Sequence, residues 1–132
     1  IQVWGYEVSS GKNKLFKLSR IGSVEVLDND WEFEAEHKEG LMDIFRINSF
    51  EQIPVKLKLG LRAASLLVEE YPLAEKYLSP LAGDPAYFIL DTWVCGYEGI
   101  GRFVLGLLDD VEILEGEGLK EFLRKRMQLA NF

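Results

Sequence analysis

Apolar and polar positions alternate with a period of two through the first part of the chain and with a helical period in parts of the second. Gln2–Val8 (QVWGYEV) is rich in aromatic and β-branched residues. A polar turn at 9–13, containing Gly11 and Asn13, separates it from Lys14–Arg20 (KLFKLSR), and Gly22 separates that from Ser23–Asp28 (SVEVLD). Gly and Asn tolerate the left-handed backbone that tight turns need, so the pattern predicts a three-stranded meander. Three strands make a poor core and leave an open edge. The expectation is that a second copy of the chain covers it. Trp31–Gln52 reads as a connector: Glu32, Glu34 and Glu36 fall on the wet face of a strand, and Glu39–Phe45 is a short helix.

From Pro54 the pattern changes. Val55–Arg62 alternates almost perfectly, as a strand with one dry face does. Ala64, Leu67, Val68 and Tyr71 follow at helical spacing until Pro72. Lys76–Leu81 is a weak strand whose Pro80 lacks an N–H and so belongs at a sheet edge. Ala86–Val94 (AYFILDTWV) is a strong strand, Ile100, Phe103, Val104, Leu107 and Leu108 form a second helical stripe, and Val111–Leu114 is a short strand. Leu119, Phe122, Leu123 and Met127 close with a terminal helix. The order β-α-β-β-α-β is the split-βαβ, ferredoxin-like pattern, with first and third strands central. Local signals agree with it, since the alternating strand is first and the proline falls on the second.

The chain has 132 residues, 48% of them hydrophobic, which suffices for one ordinary domain or a small domain plus a fragment. No apolar run reaches the roughly 18 residues of a membrane span, and no secretory leader is visible. Opening on Ile1 inside a strand pattern is what a piece of a longer protein would show. The net charge of −7 argues against tight binding to duplex DNA by this chain itself, because phosphates demand a concentrated basic surface. The single cysteine, Cys95, leaves no internal disulfide and no multi-cysteine zinc site, compatible with the cytoplasm.

Candidate chemistry centres on Lys14–Arg20. Alternation would put Lys14, Phe16, Leu18 and Arg20 on one face. A guanidinium forks onto phosphate, an ammonium adds charge and a ring stacks a base. The competing reading is a solvated basic edge with Phe16 in the core. A second candidate is the sheet face away from the helices, with Lys56 and Lys58 on one strand and Tyr87, Ile89, Asp91 and Trp93 on another. That combination suits a single-strand RNA platform. Burial of the aromatics against the connector, the terminal helix or a second subunit explains it better. His37, the only histidine, has no nucleophile or orienting partner in the pattern. Gly96–Gly101 (GYEGIG) lacks the order of a phosphate loop. The cations Lys120, Arg124, Lys125 and Arg126 complement the dipole of the last helix. No cofactor, no metal and no catalytic constellation is expected.

Val3-Trp4-Gly5-Tyr6, a polar turn, and Lys14-Leu15-Phe16-Lys17-Leu18-Ser19-Arg20-Ile21 resemble the end of a WYL domain. There a strand of the form Arg-x-Phe-Arg-Leu-Asp-Arg-Ile follows a hydrophobic-Gly-aromatic strand. Val55 to Met127, including Val104-Leu105-Gly106 before the last strand, resembles the C-terminal extension of bacterial WYL regulators. Lys14 and Lys17 stand where that pattern has arginines, Ser19 replaces its acid, and Ile1-Gln2-Val3 replaces the Trp-Tyr-Leu. The resemblance implies an α+β chain: an SH3/Sm-like β-barrel fragment at 1–30, a connector at 31–53, and a ferredoxin-like domain with a C-terminal helix at 54–132. It further implies the effector-sensing and dimerisation region of a transcriptional regulator rather than an enzyme. Tyr6, Lys14, Phe16 and Arg20 would hold an anionic effector such as a nucleotide or single-stranded nucleic acid fragment. The chain would be a cytoplasmic homodimer, and duplex DNA would be read only by a missing N-terminal helix-turn-helix. The alternative is a pure dimerisation module without a ligand.

Overall fold

The computed structural model describes residues 1–132, a mixed α+β chain with small antiparallel sheets and no closed barrel. It divides into two compact units, Ile1–Gly40 and Leu41–Phe132. The boundary between the units falls inside the stretch 31–53, after Gly40. No helix is long and apolar enough to cross a membrane.

The first unit is built on one antiparallel hairpin, β1 (Gln2–Glu7) and β2 (Lys12–Lys17), in register from Gln2 opposite Lys17 to Glu7 opposite Lys12. Gly11 closes the turn at φ +65°, giving its N–H to the Glu7 carbonyl at 2.9 Å. Asn13, expected in the turn, is a strand residue. The three-stranded meander does not form. Leu18–Arg20 coils into a 3-10 turn, and Ser23–Asp28 pairs with no strand, leaving Val24 and Val26 exposed. β-Propensity becomes a strand only where a neighbour takes up the backbone groups. The 3-10 turn ends the extended run of β2 before the chain can return alongside. Trp31–Glu36 is likewise not a strand but a turn leading into a 3-10 helix at Glu34–Glu36.

The second unit opens with a two-residue pairing of β3 (Leu41–Met42) and β4 (Asn48–Ser49). The helix expected at Glu39–Phe45 is absent. The Asp43 carboxylate accepts the N–H groups of Phe45 and Ile47, a local alternative to helical hydrogen bonding, and Arg46 turns the chain at φ +66°. Then follow β5 (Ile53–Gly60), α1 (Leu61–Glu70), a 3-10 segment at Pro72–Tyr77, β6 (Leu78–Leu81), β7 (Asp84–Val94), α2 (Glu98–Leu105), β8 (Val111–Glu115) and α3 (Glu117–Gln128). The sheet order is β6-β7-β5-β8, all antiparallel, so β5 and β7 are central and Pro80 lies on an edge strand.

One face of this sheet carries the core. Val55, Leu57 and Leu59 of β5 and Leu90 and Val94 of β7 pack with Ala63, Ala64 and Leu67 of α1, Ile100, Phe103 and Val104 of α2, and Leu119 and Leu123 of α3. The alternation of β5 was expected to run to Leu61, but the strand stops at Gly60 and Leu61 is exposed on α1. Asp110 sets that boundary. Its carbonyl accepts the Gly60 N–H at 3.0 Å, and its carboxylate caps α1 through the Ala63 N–H at 2.7 Å. A Cβ at Gly60 would run into that carboxylate.

Candidate functional site

The four residues expected to hold an effector are not brought together. Lys14 and Phe16 share one face of the hairpin with Val3, Gly5 and Glu7, whereas Tyr6 points to the other face, opposite Asn13. Arg20 sits in the 3-10 turn, outside the alternation of β2. Phe16 lies over Gly5, where a Cβ would come within 3.1 Å of its ring. Lys14 is neutralised by Glu7, Nζ to Oε1 2.8 Å. The hydrogen bond from Lys14 holds the Glu7 carboxyl below its ordinary range. The structure thus commits the Lys14 ammonium to Glu7, lays the Phe16 ring over a glycine and sets Arg20 off the strand.

The opposite face of the hairpin carries a better-formed site, built by residues 31–40 folding against β1 and β2. The Asn13 side-chain amide is the clamp: Nδ2 donates to the Glu36 carbonyl at 2.8 Å and Oδ1 accepts the Lys38 N–H at 3.0 Å. The Tyr6 ring meets Phe33 at 5.5 Å and His37 at 5.7 Å, and Trp31 stands edge-on to His37 at 5.1 Å. Gly40 admits the Trp4 indole, which a Cβ there would strike. Beside this cluster lies a cleft of about 560 Å³ lined by Gln2, Trp4, Trp31, His37, Lys38 and Glu39, with Val3 at the strand edge.

His37 is held within this cluster. Its Nδ1 lies 3.2 Å from Trp31 Nε1 and 2.7 Å from the Phe33 carbonyl. Indole N–H only donates and a carbonyl only accepts, so Nδ1 can satisfy one of them at a time. The shorter contact favours Nδ1–H donating to Phe33. Sequence reasoning missed this cluster because Trp31, Phe33 and His37 read as a strand and a loop. The cue available was the density of aromatic residues between 31 and 37.

On the sheet face opposite the second unit's core Tyr87 and Asp91 are exposed, and Lys56, Lys58, Ile89 and Trp93 are half-buried. Lys56 reaches Asp91 at 4.0 Å and Glu115 at 3.7 Å, and Lys58 lies over the Tyr87 ring at 4.3 Å. Ile89 and Trp93 share this face with Tyr87, as alternation requires. α3 buries Leu119 and Leu123 in the core, and Phe45 of the β3–β4 hairpin packs on Tyr71 and Phe103.

The remaining candidates serve the fold. Cys95 is buried, its thiol pKa raised by desolvation, and its backbone is fixed by Asp43 and Ser49. Gly99 and Gly101 allow α2 to approach Phe45 and Phe122. On α3, Lys120 pairs with Glu117, Arg124 with Glu121, and Arg126 with Glu98. The buried carboxylate of Asp43 and the capping Asp110 were not singled out from sequence; each acts on backbone far away in the chain. No group of three or more His, Cys, Asp or Glu is placed to hold a metal ion. No protein-family model, curated protein or solved structure matches the chain.

Proposed function

We propose that the chain is the effector-sensing and self-association region of a DNA-binding transcriptional regulator, as the WYL resemblance implies. In this reading the second unit is a ferredoxin-like domain, and β1–β2 is one hairpin of an SH3- or Sm-like barrel completed by further strands. Contact with duplex DNA would fall to a separate basic element, since the chain carries a net charge of −7. The protein would work in the cytoplasm. A buried thiol with raised pKa and a histidine occupied by aromatic neighbours favour a binding role over catalysis.

The observation that carries the proposal is the pattern of charge and aromatic residues on the sheet face opposite the core. Tyr87, Ile89 and Trp93 lie there among Lys56 and Lys58 on β5 and Asp91, Glu112 and Glu115 on the two neighbouring strands. A surface with cations on β5 and acids on β7 and β8, the strands either side of it, complements itself. A two-fold rotation sets one copy's lysines against the other's carboxylates, and the long Lys56 contacts leave that ammonium able to exchange partners. The occupant is a second copy of this chain.

Sedimentation velocity of the whole chain tests this. The wild type should be a dimer, and Lys56→Glu/Lys58→Glu and Asp91→Lys/Glu112→Lys should each be monomeric. Mixing the two variants should restore a heterodimer. A monomeric wild type, or dimers indifferent to the reversals, overturns the proposal. A pure dimerisation module without a ligand is the second reading, favoured by the failure of Tyr6, Lys14, Phe16 and Arg20 to converge. Dimers with no small-molecule response would decide for it.

A further inference from the structure

We propose that the cleft on the Trp4–Tyr6 side of the hairpin binds a small organic cation of the alkylated ammonium class. This rests on the reading of the first unit as a sensor and supplies its ligand chemistry. The cleft measures about 560 Å³ and has two indoles, Trp4 and Trp31, in its walls. That volume lies in the ordinary range of small-molecule sites, about 300–1,000 Å³. The face of an indole carries the negative lobe of the ring quadrupole and is the best aromatic partner for a cation. Trp31 remains 60% exposed, yet it does not dangle. His37 meets it edge-on, and the segment bearing both is tied to β2 through Asn13. A wall already in place lowers the ordering cost of binding.

Charge selects the sign of the ligand. Residues 28–39 carry Asp28, Asp30, Glu32, Glu34, Glu36 and Glu39 against Lys38 alone. Of these only Lys38 and Glu39 line the cleft itself, and the acidic surplus of the segment that bears Trp31 favours cations over phosphates. The lysine opposes a cationic guest and the glutamate favours it, so their removal should act in opposite directions. An anionic nucleotide, the effector class expected of the Lys14 face, meets the wrong potential here.

Isothermal titration calorimetry of the whole chain with choline, its uncharged carbon isostere 3,3-dimethylbutan-1-ol, and adenosine monophosphate tests this. Choline should bind saturably, about tenfold more tightly than the neutral isostere, and the nucleotide should give no heat of binding. Trp31→Ala should weaken choline about tenfold or more, Glu39→Gln should weaken it, and Lys38→Gln should strengthen it. Equal affinity for the neutral isostere, preference for the nucleotide, no choline binding, or an unchanged Trp31→Ala variant each overturns the site. Sedimentation of the same samples separates the two claims. A dimer that ignores choline sinks the cleft alone, while choline binding by a monomer sinks the self-association reading and leaves the cleft standing.

Discussion

Replacing Asp43 tests how the second unit is held together. The side chain is 2% exposed, and its carboxylate accepts three backbone N–H groups: Phe45 at 2.8 Å, Ile47 at 3.0 Å and Cys95 at 2.8 Å. The first two fold the β3–β4 turn on itself. The third fastens that turn to the end of β7, 52 residues away in sequence. In Asp43→Asn the remaining oxygen keeps the two local bonds, and the new NH2 confronts the Cys95 N–H, donor against donor. A buried donor left unsatisfied costs about 1–3 kcal/mol, and exchanging a charged acceptor for a neutral one removes about 1 kcal/mol more. The expected loss for Asn is therefore roughly 2–4 kcal/mol. Asp43→Ala leaves three donors bare and should cost more, on the order of 3–5 kcal/mol or beyond. Urea denaturation followed by circular dichroism gives both values, and amide exchange at Cys95 reports the long-range bond directly. A loss below about 0.5 kcal/mol for Asn, the size of an ordinary surface substitution, with Cys95 still protected, would refute the reasoning.

Two further outcomes concern the first unit. Asn13→Ala removes both hydrogen bonds that tie residues 36–38 to β2, at roughly 0.5–1.5 kcal/mol net for each. The Lys38 amide should lose its exchange protection, whereas the Glu7–Lys14 end of the hairpin should keep its own; unchanged protection at Lys38 would contradict the clamp. The Glu7 carboxyl, held down chiefly by its hydrogen bond from Lys14, should titrate below an ordinary glutamate by carbon NMR and return upward in Lys14→Met. Because the folded pKa is the lower one, the pair's contribution is present above the unfolded pKa and is lost as pH falls through the folded value. Exchange of the β1 and β2 amides should quicken over that interval, and a titration unmoved by Lys14→Met would contradict the assignment.

Local chemistry made much of the second unit legible. Val55, Leu57 and Leu59 alternate because one face of β5 is dry, and the strand keeps that face wherever it pairs. Pro80 lies on an edge strand because it has no N–H to give a second neighbour. Helical spacing made most of the stripes of α1, α2 and α3 readable, but α2 ends at Leu105, before Leu107 and Leu108, and Leu108 and Met127 are exposed. The same reasoning failed for the Lys14 face, where alternation was carried through Arg20 although the chain had already turned at Leu18.

Composition and periodicity alone determined that the chain is a mixed α+β protein, which residues of its central strands face a core, and that its net charge is acidic. Only tertiary structure decided that Ser23–Asp28 finds no partner strand, that Asp110 ends β5 and starts α1, and that Asp43 is a buried hub. It also put Trp4, Trp31 and His37 around one cleft and separated Tyr6 from Lys14 and Phe16. The reason is one of range. A side chain's periodicity records which way it faces its own element, a local property, whereas a hydrogen bond from Cys95 to Asp43 or a ring closing over Gly40 depends on where distant backbone has come to rest.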